Sequence, residues 1–127
     1  MNIFLIISGI VALFIVVGHF TMGRKTYLLP MMEASFDGVA KKVMQSVFHY
    51  SSVNLVLMAV MLLALGFGVN LKGASSLIVQ FIALHYSLFA AVLIITALAS
   101  KIEKPMFKMF QWILFIIVAV LAWLGAA

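Results

Sequence analysis

The chain has 127 residues, 67% of them hydrophobic and only 9% charged, with a formal net charge of +5 and no cysteine. A soluble domain carries roughly 25% charged residues to face water, so this balance excludes a water-exposed globule. It also excludes a disulfide scaffold, a zinc-thiolate site, cysteine catalysis and a nucleic-acid domain.

A helix needs about 20 largely apolar residues to cross a hydrocarbon core of roughly 30 Å. Charge-free windows of that scale run over Ile3–Phe20, Val43–Asn70, Gly73–Ser100 and Met109–Ala127. Their apolar residues are continuous rather than alternating, which predicts helices and not barrel strands. The expected fold is an all-α integral membrane four-helix bundle, one domain over 1–127, with spans at about 3–21, 42–69, 74–100 and 106–126.

The first span lacks a basic start and a small-residue cleavage pattern, so it is expected to be retained. A loop over 22–41 follows, punctuated by Gly23, Pro30 and Gly38 and kept apolar by Leu28, Leu29, Met31, Met32 and Phe36. That composition predicts a segment lying in the membrane interface. Asp37 is placed to cap the helix that carries Lys41 and Lys42 into the second span. A tight turn over Gly66–Gly73 leads to the third span. Pro105 suits the first turn of the fourth, where its missing N–H is harmless, and Trp112 and Trp123 fall near the ends of that helix as interfacial anchors.

Orientation follows from the cations. Arg24, Lys25, Lys41, Lys42, Lys101, Lys104 and Lys108 flank the first and third connections, and Lys72 alone sits in the second. The positive-inside rule therefore puts those two connections in the cytoplasm and both termini outside, so the basic charge records insertion rather than an anionic ligand.

Polar side chains are costly in lipid, and the few present are candidates for function. Reckoned at 1.5 Å per residue from Arg24 and Lys42, His19 and His49 lie at similar depths of roughly 8 and 10 Å, on antiparallel spans, while His85 lies near the midplane. Gln45, His49 and Ser52 share one helical stripe, with Asn54 on another face. Gln80 and His85 belong to the third span. The tripeptide His-Tyr-Ser occurs at both His49–Ser51 and His85–Ser87, too short a match to establish an inverted repeat.

Neutral imidazoles on facing helices suit a haem iron, copper or zinc. His19 and His49, with His85 as a further candidate, are thus the expected cofactor-binding residues for haem b or a transition metal. Met22, at i+3 from His19, is a thioether ligand candidate. The plainer reading is that these histidines bond a neighbouring Ser, Gln or carbonyl and join helices, and that Met fills gaps. No GxSxG, HExxH or phosphate-binding loop is present, and Glu33, Asp37 and Glu103 are the only carboxylates, so no catalytic residue is expected.

The stretch Gly18-His19-Phe20-Thr21-Met22-Gly23-Arg24-Lys25, then Leu28-Leu29-Pro30-Met31, then Phe48-His49-Tyr50-Ser51-Ser52, resembles a family of small four-span bacterial membrane proteins, largely uncharacterised. In that family a histidine ends span one and an aromatic-His pair opens span two. The likeness covers about the first half of the chain, with Phe48 standing where Trp is expected. It implies a bacterial cytoplasmic (inner) membrane location and supplies no reaction.

Three readings remain. The first is a membrane protein, not an enzyme, with an intramembrane histidine site for haem b or a metal. The second is an accessory or assembly subunit of a larger membrane complex whose histidines only pack helices. The third is an oligomeric channel or carrier with Gln45, Ser52 and Gln80 among its polar lining. The expected partners are the lipid bilayer and either further copies of the chain or a larger complex, and no nucleic acid.

Overall fold

A computed structural model describes all residues, 1–127, and the chain is entirely helical. Helix α1 (Ile3–Gly18) continues without interruption through a π-helical segment (His19–Leu28) into the short α2 (Leu29–Glu33), making one rod of 31 residues. After a four-residue link come α3 (Gly38–Gly66), α4 (Ser75–Ala99), the single turn α5 (Pro105–Lys108) and α6 (Gln111–Ala126). The rod Ile3–Glu33, α3 and α4 are each long and apolar enough to cross a membrane, and α6 is a shorter apolar helix.

Two expectations are revised. Most of the interfacial loop expected over 22–41 is helix, because the chain winds with i→i+5 hydrogen bonds, as from Leu29 N–H to Arg24 O. Pro30 falls where that register ends and the α register resumes. The fourth helix, expected from 106, is interrupted at Met109, whose backbone leaves the helical region (φ −116°, ψ 49°). The interruption frees the Met106 carbonyl, which accepts from Trp112 Nε1 at 3.1 Å. The cap expected of Asp37 is present, its carboxylate accepting from Ala40 N–H at 2.9 Å.

Helix α1 packs against α3 and α6, and α6 against α4, while α3 and α4 scarcely touch although they are consecutive. The close packing gathers at one end, where glycines let backbones meet. A Cβ on Gly66 would lie 2.9 Å from Ile6 N, and one on Gly125 would run into the Leu5 side chain. Asn2 closes this end. Its N–H donates to Gly66 O at 2.8 Å, its Nδ2 donates to Gly125 O at 2.9 Å, and its Oδ1 caps α1. The start of α1 and the ends of α3 and α6 are thereby tied together. Seven of the eight cations lie at the opposite end of the bundle.

The core is one cluster in which Ala12, Ala59, Leu62, Ile82, Ala83, Val118 and Ala122 are almost wholly buried. Only 22 of 127 residues are buried, so most of the apolar side chains face outward. Phe14 is 68% exposed and Leu77 69%. An apolar surface of this extent marks a protein that meets lipid or another apolar partner.

Candidate binding cleft

At the cationic end the helices diverge and leave a cleft of about 370 Å³, walled by the first rod, α3, α4 and the start of α6. Its walls follow from the winding of the rod. Phe14, Ile15, Gly18, His19, Met22 and Gly23 recur at the three- and four-residue spacing of one helical face, and Tyr27 extends it near the end of the π-helical segment. Phe48 and Leu55 of α3, Leu93 of α4, and Leu114 and Phe115 of α6 complete an almost wholly apolar interior. Gly18 lines the cleft, and a Cβ there would meet nothing within 4 Å.

Two polar side chains absent from the sequence expectations define the cleft's margin. Gln111 Nε2 donates to Tyr27 Oη at 2.8 Å, linking the rod to α6 across 84 residues of sequence. The Gln111 Oε1 atom is buried and has no partner. An unsatisfied buried acceptor costs about 1–3 kcal/mol. Phe115 packs against Tyr86, ring centroids 6.0 Å apart, and the Tyr86 hydroxyl is also buried without a partner.

His19 stands on the cleft wall. Its Nε2 lies 2.9 Å from Ser52 Oγ and 3.2 Å from Phe48 O, and its ring stacks on Phe48 at 4.1 Å. Ser52 Oγ already donates to Phe48 O at 3.0 Å. A carbonyl only accepts, so this network assigns the proton of the neutral ring to Nε2 and the lone pair to Nδ1. His19 is therefore held by α3, with Nδ1 beside Gly23.

The other expected site residues are dispersed. His49 also packs on Phe48, edge-on at 5.8 Å, but it is exposed and lines a second, shallow depression together with Phe20, Ser52 and Val53. His85 Nε2 meets Asn54 Nδ2 at 2.8 Å across the α3–α4 seam. Met22 reaches the cleft, 42% exposed. Gln45 Oε1 accepts from Lys42 Nζ at 3.0 Å, and Gln80 is exposed, bonding only Ser76 within its own helix at 3.4 Å. Of the polar lining expected for a channel, Ser52 alone is buried, bonded to His19. The structure thus joins His19 with Ser52 and His85 with Asn54, and no group of three or more His, Cys, Asp or Glu converges to hold a metal ion. The two His-Tyr-Ser tripeptides differ in setting, Tyr50 being 71% exposed and Tyr86 fully buried.

The bond between Asn54 and His85 is the main polar link between two helices that otherwise barely meet. A double-mutant cycle of Asn54→Ala and His85→Ala, read by reversible unfolding in detergent, is expected to give a coupling of about 1 kcal/mol. A coupling near zero would mean the pair does not hold the seam.

Comparison with protein-family models, with curated sequences and with solved structures returns no significant match.

Proposed function

We propose that the chain is a four-span protein of the bacterial cytoplasmic membrane, cationic end inward and both termini outside, that holds a single hydrocarbon chain in the cleft. One observation carries the reading. The cleft is apolar over nearly all of its wall, with His19, Tyr27 and Gln111 as its polar lining side chains, the pattern of a site for an amphiphile. Its volume of about 370 Å³ falls in the range of about 300–1,000 Å³ typical of ligand sites. Water would find too few polar partners in such a wall to be held there. A fourth crossing by α6 needs help, because 16 residues rise only about 24 Å; α5 and the interruption before α6 supply the remaining length at the cationic end.

The alternative of haem b or a metal on His19 and His49 has less behind it, since His19 Nε2 is engaged by α3 and His49 faces outward. The same preparation tests both. Protein stripped of bulk lipid in mild detergent is expected to retain one alkyl-chain adduct by native mass spectrometry. A photoactivatable alkyl probe is expected to label the segments 14–27 and 109–115. Labelling spread over outward residues such as Leu57 and Leu77 would overturn the reading, and a Soret band with stoichiometric iron would replace it with haem.

A further inference from the structure

We infer that the head of the molecule whose chain occupies the cleft is a neutral hydroxyl, received by His19 Nδ1. This rests on the cleft being a site for a hydrocarbon chain and goes on to name the head. His19 belongs to the cleft wall, and its two ring nitrogens are in different states. Nε2 donates to Phe48 O at 3.2 Å and lies 2.9 Å from Ser52 Oγ, which fixes the ring on α3. Nδ1 makes no hydrogen bond and, unlike Tyr86 Oη and Gln111 Oε1, is not enclosed. It sits beside Gly23, another wall residue, where a Cβ would come within 3.8 Å of it. With the ring proton on Nε2, Nδ1 offers a lone pair and no proton, so its complement is a donor on the ligand.

The wall also fixes the charge of that donor. No Asp, Glu, Lys or Arg lines the cleft, so a charged head would be taken out of water without a counter-ion. That disfavours an ammonium. A carboxylate is worse matched, because it would set its own lone pairs against that of Nδ1. The other polar side chains of the wall, Tyr27 and Gln111, bond each other, and Gln111 Oε1 is enclosed. Nδ1 of His19 is left as the open wall atom that bonds nothing, and an O–H is the neutral group that satisfies it.

The full chain in zwitterionic nanodiscs at about pH 8, where a free imidazole is neutral, tests this with two photoactivatable probes. One is oleyl alcohol and the other its methyl ether, which keeps the chain and the oxygen but has no donor. The alcohol is expected to label segments 14–27 and 109–115 at about five-fold lower mole fraction than the ether, the ratio of one hydrogen bond. In nitrogen NMR, the His19 Nδ1 resonance is expected to shift on adding the alcohol and to stay in place with the ether. In His19→Phe the new ring can still stack on Phe48, and Ser52 Oγ keeps its bond to Phe48 O, so the acceptor is removed without orphaning the carbonyl. There the alcohol's advantage is expected to fall to within about two-fold while the ether labels as before. Equal labelling by the two probes in the unmutated protein would overturn the hydroxyl head and leave the chain-binding reading intact. An Nδ1 resonance that does not move, or an advantage that survives in His19→Phe, would overturn the assignment to His19. Absence of cleft labelling by either probe would remove both inferences.

Discussion

Replacing Gly66 by alanine is expected to destabilise the protein by about 3 kcal/mol, the upper end for overpacking a closely packed site. The added methyl would lie 2.9 Å from Ile6 N and 3.2 Å from Leu5 C. Those are backbone atoms, so relief requires α1 to move away from α3. Such a shift also strains the bond from Asn2 N–H to Gly66 O, which sits beside the grip of Asn2 on Gly125. Gly38→Ala is the control, because a Cβ there would meet nothing within 4 Å, and no loss of stability is expected. Unfolding of both variants in mixed micelles by SDS titration decides the matter, and an unchanged stability of Gly66→Ala would show that the contact with α1 is not tight.

Gly18→Leu is expected to act in the opposite sense on stability while removing the ligand. Gly18 has ordinary helical backbone angles (φ −59°, ψ −39°), and its Cβ would enter open space. Placing leucine there gains roughly 1 kcal/mol of helix propensity over glycine. The new side chain fills the hollow between Phe14 and Met22, so the alkyl probe is expected to lose its labelling of segments 14–27 and 109–115 by about ten-fold or more, taking a methylene as worth about 0.8 kcal/mol. Thermal unfolding and photolabelling of the same sample read the two effects together. Labelling at the wild-type level in a folded Gly18→Leu protein would show that the chain does not occupy this cleft.

These two glycines illustrate what was legible in the residues alone. As residue types, glycines in an apolar helix permit close helix approach, yet Gly9 and Gly66 are closely approached and Gly18 is not. Gly18 makes a void, and Gly68 has φ +102° in the turn after α3. The charge-free windows correctly placed four helical stretches, because hydropathy is a local sum. The winding of 19–28 was not legible. Gly23 and Pro30 ordinarily punctuate loops, and their tolerance inside a rod depends on a hydrogen-bond register that is not written in residue types.

The side-chain pairings around the candidate site were legible in part. Costly polar residues in apolar windows pointed to His19, and the Gln45–His49–Ser52 stripe contained its real partner, Ser52. It also contained His49, which faces outward, because a stripe on a long helix is broader than the strip its neighbour covers. Asn54, set aside as lying on another face, bonds His85. Tyr27 and Gln111 were missed. The one available signal was a lone glutamine at the head of an otherwise apolar run beside Trp112.

By itself the amino-acid sequence determined that the chain is helical, how apolar its surface is, and that seven of its eight cations gather on one side, since each depends on composition within a single segment. Which imidazole meets which partner, which glycine is filled and which is hollow, and that Tyr27 and Gln111 close one end of a cleft were decided only by tertiary structure. Those outcomes depend on the rotation of each helix about its axis and on the pairing of α1 with α3 and α6 in preference to α3 with α4. Both are settled by packing between segments far apart in the chain.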